Sequence, residues 1–229
     1  MITKRPLPVV GIVGAIGSGK SAAAAAFERL GLDRIDADRL AHDVLREPSV
    51  VESLRERFGQ EIFDPQGELD RAALGAKVFR DAAELEALEA IVHPRVRERI
   101  ESAVAAVMQN AQQSHEHQAH EHQSKGEHEQ KQAGPVGVVI DAPLLLETGL
   151  DQLCDVIVVV LADEATRQSR VRERNGWDHD ELARRELFQK PLKEKIKVAD
   201  YRIDNDHSIG SLEAKIESIW SEIVARSFQ

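Results

Sequence analysis

The octapeptide Gly14-Ala15-Ile16-Gly17-Ser18-Gly19-Lys20-Ser21 carries the strongest chemistry in the chain, because it satisfies G-x-x-x-x-G-K-[ST]. Its glycines permit backbone angles barred to other residues and let main-chain N–H groups approach phosphate oxygens. A helix beginning behind them adds about half a positive charge at its N-terminus. Lys20 can reach the β- and γ-phosphates, and the Ser21 hydroxyl can join a Mg²⁺ shell. The pattern implies a bound nucleoside triphosphate and leaves the acceptor open.

Three acids stand where such a site needs them. Asp36 and Asp38 end Leu32 to Asp38, which reads as a short second strand, and Asp141 ends Val136-Gly137-Val138-Val139-Ile140-Asp141. Ligand groups in open α/β sheets gather at the carboxyl ends of strands. The first two acids could therefore meet an acceptor hydroxyl or a metal, although an Asp there equally suits a helix N-cap. An apolar strand closed by an acid, as at Asp141, is a loose Walker-B element that binds Mg²⁺ directly or through water. Arg167, Arg170, Arg172, Arg174, Arg184 and Arg185 crowd two helical stretches around Asn175-Gly176. Planar guanidinium groups suit phosphate oxygens, so the pattern suggests a lid, with most of these arginines on a solvated face beside Glu173, Glu181 and Glu186. His93 has a plain reading as a helix-end residue.

The elements that must position these groups alternate. Pro8 to Val13 reads as a buried strand, Ser21 to Leu30 as a helix stopped by Gly31, and Arg39 to Glu47 as a helix bearing His42 opposite its apolar face. Residues 49–113 are helical in pattern, with Pro94 expected to open a new helix carrying Val96, Ile100, Val104 and Val107. Phe79 falls on the apolar spacing of the preceding helix. Residues 114–133, rich in Gln and His, contain almost no apolar side chains and cannot offset their ordering entropy by burial. They read as a surface insertion that could extend the preceding helix, though His-rich tracts also bind metals. Asp155 to Leu161 is apolar on both faces, as a central parallel strand should be. Ala199 to Asn205 reads as a fifth strand and Ser211 to Ser227 as a closing amphipathic helix.

Composition narrows the class. A net charge of −10 argues against a general nucleic-acid surface. One cysteine, Cys154, precludes an internal disulfide. The N-terminus shows no signal-peptide pattern, and no apolar run approaches the roughly 20 residues needed to span a bilayer. The expectation is a soluble cytoplasmic protein without nucleic-acid, membrane or obligate protein partners.

Taken together, several separated segments resemble the dephospho-coenzyme A kinases. They are Gly17-Ser18-Gly19-Lys20-Ser21, Ile35-Asp36-Ala37-Asp38, His93-Pro94, Asp141-Ala142-Pro143-Leu144-Leu145-Leu146-Glu147, Arg174-Asn175-Gly176, Gln189, Ala199-Asp200 and Ile203-Asp204-Asn205, in that family's order. The resemblance implies a three-layer α/β P-loop fold of the nucleoside-kinase type, with a five-stranded parallel sheet. It implies a nucleotide core at 1–48, 134–163 and 200–229, an acceptor-binding helical domain at 49–113 and an Arg-rich lid at 164–199, with the insertion at 114–133. The implied reaction moves a phosphoryl group from ATP to the ribose 3′-hydroxyl of dephospho-CoA, with Mg²⁺ as cofactor. By the same match Asp38, Lys20 and Arg174 are catalytic, and Gly14, Ala15, Ile16, Gly17, Ser18, Gly19, Lys20, Ser21, Ala22 and Asn205 bind ATP. Asp36, Asp38, His42, His93, Pro143, Leu144 and Leu145 hold the acceptor, and Ser21 holds Mg²⁺ with Asp36 or Asp141 as a second ligand. Ala15 and Ala22 stand where that family often has Gly and Thr; neither position supplies an essential side chain. A kinase for another small acceptor, such as a nucleoside monophosphate or a shikimate-like alcohol, is the nearest alternative. A nucleotide switch fits less well, since the chain lacks an Asn-Lys-x-Asp element for guanine.

Overall fold

The hexapeptide Val9-Val10-Gly11-Ile12-Val13-Gly14 offers no polar side chain, and in the computed structural model it forms β1 (Val9–Gly14), buried at every position. The structure describes residues 5–78, 81–121 and 134–227. After β1 come α1 (Lys20–Arg29), β2 (Leu32–Asp36), α2 (Ala37–Val44), α3 (Pro48–Phe58), α4 (Arg71–Val78) and α5 (Ala82–Glu121). The chain then runs through β3 (Gly137–Asp141), β4 (Val156–Leu161), α6 (Glu164–Asn175), α7 (His179–Glu186), α8 (Leu192–Val198), β5 (Tyr201–Asp204) and α9 (Ile209–Ser227). Two compact units result, residues 1–36 with 103–229, and residues 37–102.

All five strands pair in parallel, in the order β2-β3-β1-β4-β5. Central β1 therefore has β3 on one side and β4 on the other, and the loop leaving its carboxyl end opens where the strand order reverses, the usual ligand position in such sheets. One face is covered by α1 and α9. Ala23, Ala24 and Phe27 meet Leu212, Ile216 and Trp220 over Val10, Ile12, Val139 and Val158. Phe27 meets Trp220 edge-on at 6.5 Å. Small alanines let α1 approach the sheet closely, which fixes the direction of the helix start behind the Gly-rich loop.

Three expectations change. Strand β2 stops at Asp36, because its pairing with β3 runs out at Asp141, so Asp38 lies in the first turn of α2 and not at a strand end. Pro94 does not open a helix; it sits inside the 40-residue α5. An interior proline costs roughly 3 kcal/mol, but Val92, Val96, Ile100 and Val104 are all buried at four-residue spacing across it. Burying each such side chain contributes about 1.5–3 kcal/mol, so the continuous stripe wins. The third change is α8, which the sequence reading left unassigned. Helix α5 continues to Glu121, into the Gln/His-rich stretch; residues 122–133, like Phe79, lie outside the described residues.

The unit holding residues 37–102 has its own ionic clamp. Glu47, just before α3, accepts hydrogen bonds from Arg95 and Arg99 of α5, and the Arg95 guanidinium holds its carboxyl below the usual range.

Gly11 in β1 lacks a side chain for want of space. A Cβ there would stand 2.6 Å from Cys154 Sγ, 2.9 Å from Ile157 Cδ1 and 3.0 Å from Leu145 Cδ2. The Cys154 thiol is a packing group, its pKa pushed up to about 12 by burial with help from Asp151 and Asp155. Gly11→Ala is expected to destabilise the fold by about 1–3 kcal/mol through overpacking, read as a lowered midpoint in thermal or denaturant unfolding. Unchanged stability would show that the strand–strand contact yields freely.

Candidate active site

A loop that turns its N–H groups toward a ligand must turn its carbonyls inward, and buried carbonyls need donors. Residues 14–19 form the link between β1 and α1, and the protein supplies a donor to every carbonyl from Gly14 to Ser18. Lys20 Nζ donates to Gly14 O at 3.2 Å and Ala15 O at 3.0 Å. Arg167 Nη1 donates to Ile16 O at 3.2 Å. Arg170 Nη1 reaches Gly17 O at 3.5 Å and Ser18 O at 3.4 Å, and Asn205 Nδ2 reaches Ser18 O at 2.8 Å. Arg170 Nη2 also holds the Asn205 carbonyl, at 2.8 Å. The loop is braced from three sides.

Three glycines in the loop are compulsory, the first being Gly14, where a Cβ would lie 2.4 Å from the Val160 carbonyl oxygen. Gly17 has φ +78° and a Cβ there would lie 2.8 Å from the Arg167 carbonyl. Gly19 has φ +97° at the start of α1, where a Cβ would collide with Asn205 Nδ2 at 2.2 Å. Ala15 and Ser18 are buried, and the Ser18 hydroxyl has no hydrogen-bond partner among the described residues. Lys20 and Ser21 open α1, with Ser21 exposed and Ala22 packed against the core.

The acids at the sheet edge are paired. Asp36 and Asp141 are register partners on neighbouring strands. Arg34, two residues before Asp36, binds the Asp141 carboxylate at 2.6 Å and lies 3.8 Å from that of Asp36. The Asp141 side chain is 7% exposed and that of Asp36 is 41% exposed. Among the described residues no group of three or more His, Cys, Asp or Glu could hold a metal ion. Mg²⁺ commonly takes one or two protein groups and completes its shell with phosphate oxygens and water. Ser21 with Asp36 fits that pattern better than Asp141, whose carboxylate Arg34 engages.

The helices after β4 begin on designed-looking chemistry: Asp163 caps α6 by accepting from Thr166 N, and Asp178 caps α7 by accepting from Glu181 N. The Thr166 N–H lowers the Asp163 pKa. Gly176, in the left-handed region, ends α6. Arg174 lies in the last turn of α6, exposed, with Nε 3.0 Å from Asn175 Oδ1. The same helix thus carries two kinds of arginine: Arg167 and Arg170 on the loop, Arg174 in solvent. In sequence Arg167 and Arg170 stand only as two of six clustered arginines, because their role depends on contacts more than 150 positions apart. Pro143 and Leu144 are half-buried in the turn after β3, whereas Leu145 is 1% exposed and packs toward Gly11.

In the other unit, Asp38 and His42 lie on α2 and His93 is half-buried on α5. His42, Leu45, Arg46, Val51, Leu69 and Arg71 are among the residues lining a cavity of about 360 Å³. It offers both cationic and apolar wall.

The dephospho-CoA kinase family model matches residues 8–116 and 116–211. A dephospho-CoA kinase of Corynebacterium glutamicum is 36% identical over 219 residues, covering 95% of this chain and 98% of that protein. One from Carboxydothermus hydrogenoformans is 35% identical over 214 residues, covering 93% of each. Among solved structures, a Thermus thermophilus protein aligns with TM-score 0.71 at 30% identity, covering 94% of this chain and 97% of that one. The dephospho-CoA kinase of Campylobacter jejuni has the same fold, with TM-score 0.63 at 21% identity and coverage of 94% and 96%. With half the chain and more matched by the family model, and relatives above 30% identity along its length, this chain belongs to the dephospho-CoA kinase family.

Proposed function

We propose that the chain transfers the γ-phosphoryl group of ATP to the ribose 3′-hydroxyl of dephospho-CoA, giving coenzyme A and ADP. Family membership supplies the acceptor, and the single structural observation that carries the donor half is the braced loop at Gly14–Ser21. Its main-chain N–H groups cradle the phosphates, Lys20 neutralises charge between the β- and γ-phosphates, and Arg174 meets the phosphoryl group in flight. Asp38 takes or orients the hydroxyl proton. Asp36, His42, His93, Pro143, Leu144 and Leu145 complete the acceptor's surroundings, with Leu145 acting through packing. Asn205 serves ATP binding by holding Ser18. Mg²⁺, with Ser21 and Asp36 as its fitting protein groups, supplies charge neutralisation on the phosphate oxygens. The proposed organisation is a nucleotide core, a helical acceptor domain at 49–113 and a lid at 164–199. Residues 114–133 stay outside the chemistry.

An ADP-release assay with ATP, Mg²⁺ and a panel of dephospho-CoA, nucleoside monophosphates and shikimate tests the acceptor. Turnover is expected with dephospho-CoA, and silence with it from folded protein sinks the reading. Asp38→Asn is expected to lower kcat by about 10²–10⁴-fold, the usual size of a general-base contribution, with ATP affinity within about threefold of wild type. Equal losses in both would assign Asp38 a ground-state role.

The two kinds of arginine on α6 separate in the same assays. Arg170→Ala removes the donors to Gly17 O and Asn205 O, while Ser18 O keeps Asn205 Nδ2. Stability should therefore fall by the about 1–3 kcal/mol that an orphaned buried acceptor costs, read as a lowered melting temperature, and ATP affinity should fall with it. Arg174→Ala should leave both nearly unchanged and lower kcat by about 10²-fold or more. Matching profiles for the two variants would show that the division of labour is wrong.

A further inference from the structure

One buried cation has no part in the reading above. Lys195, on α8, is 2% exposed. Lysine is almost never so buried without partners, and three acceptors surround its Nζ: Gln189 Oε1 at 2.9 Å, Gly14 O at 3.4 Å and Glu147 Oε1 at 3.4 Å. A charged ammonium has three N–H donors, one for each. Gly14 O is the same carbonyl that Lys20 Nζ approaches at 3.2 Å. Two lysines from opposite ends of the sequence converge on the first carbonyl of the loop.

That doubling has a consequence for nucleotide binding. Lys20 rests on the carbonyls of Gly14 and Ala15. To reach a phosphate it must loosen that hold, and a buried carbonyl that loses its donor opposes the move. Lys195 is buried, and its three acceptors all belong to the protein. We propose that Lys195 is a positioning residue for the phosphate loop, keeping the Gly14 carbonyl satisfied when Lys20 turns to the phosphates. The proposal rests on the reading of residues 14–21 as an ATP site.

Its surroundings tie that function to the chain beyond the lid helices. Gln189 lies in the turn after α7, and the neighbouring Lys190 donates its backbone N–H to Glu147 Oε1 at 2.6 Å and its Nζ to Leu146 O at 2.8 Å. Glu147 Oε2 is buried without a hydrogen-bond partner among the described residues. Neutralising Glu147 is therefore the rival task for Lys195, and the test must separate the two.

Lys195→Met alone would strand a carboxylate and could fail to fold, since breaking a buried pair is strongly destabilising whereas removing both charges is often neutral. The informative protein is the full chain carrying Lys195→Met with Glu147→Gln. Its melting temperature is expected within a few degrees of wild type, with ATP binding, measured by calorimetry with MgATP, weakened about tenfold or more. Glu147→Gln alone, with Lys195 still on Gly14, is expected to cost under about threefold. ATP affinity in the double variant within threefold of wild type would overturn the proposal, leaving Lys195 as a counter-charge only. Equal weakening in Glu147→Gln alone would overturn it too, by assigning the effect to the carboxylate. The readout needs no acceptor, so failure of this role is distinct from failure of the dephospho-CoA assignment. A wild-type chain that bound no MgATP would remove the ATP-site reading and this role together.

Discussion

Phosphate binding by backbone N–H groups creates a debt on the other side of the same peptides: the carbonyls have to face inward. Five consecutive carbonyls, Gly14 to Ser18, meet this condition through side chains from four places: Lys20 in α1, Arg167 and Arg170 in α6, Lys195 in α8 and Asn205 just past β5. The rest of the unit follows from placing those donors. Parallel β4 and β5 on one side of β1 bring α6 and Asn205 alongside the loop. The alanine-lined side of α1, pressed to the sheet opposite α9, fixes the loop's other end. Rigidity here has a catalytic meaning, since dipoles already oriented for phosphate need no reorganisation when charge moves.

The arrangement explains why this loop carries cations where a sequence reader looks for solvated charge. Each guanidinium that holds a carbonyl also adds positive potential near the phosphates, so one side chain meets a structural and an electrostatic need. Arg167 is itself ion-paired to Glu186 of α7. Helix α7 is thereby linked to the loop through the Ile16 carbonyl that Arg167 touches. Arg174, four to seven residues further along α6, bonds instead to the Asn175 side chain beside it.

Legibility in the sequence followed the range of the interaction. The phosphate loop and the buried runs of β1, β3 and β4 are written in neighbouring residues, and local pattern suffices to read them. Arg167, Arg170 and Lys195 are not, because their partners stand more than 150 positions away and an Arg-rich helix looks alike on every face before the sheet is assembled. Pro94 misleads for a related reason: its local cost is real, but a stripe of buried valines and Ile100 on both sides outweighs it. Asp38 shifted by a boundary alone, since strand length depends on where the partner strand stops.

The acids at the sheet edge show the same dependence of chemistry on assembly. Register brings Asp36 and Asp141 side by side, and like charges on adjacent strands destabilise a sheet. Arg34 resolves this by binding the more buried of the two at 2.6 Å. A strand-end acid read as a metal ligand from sequence thus becomes half of an ion pair. Asp36, the more exposed of the two, is the carboxylate proposed above for a hydrated cation. A site with one hydroxyl and one acid would hold Mg²⁺ weakly without nucleotide and firmly with it, because the phosphate oxygens supply the remaining ligands. Metal and ATP would then enter as one species.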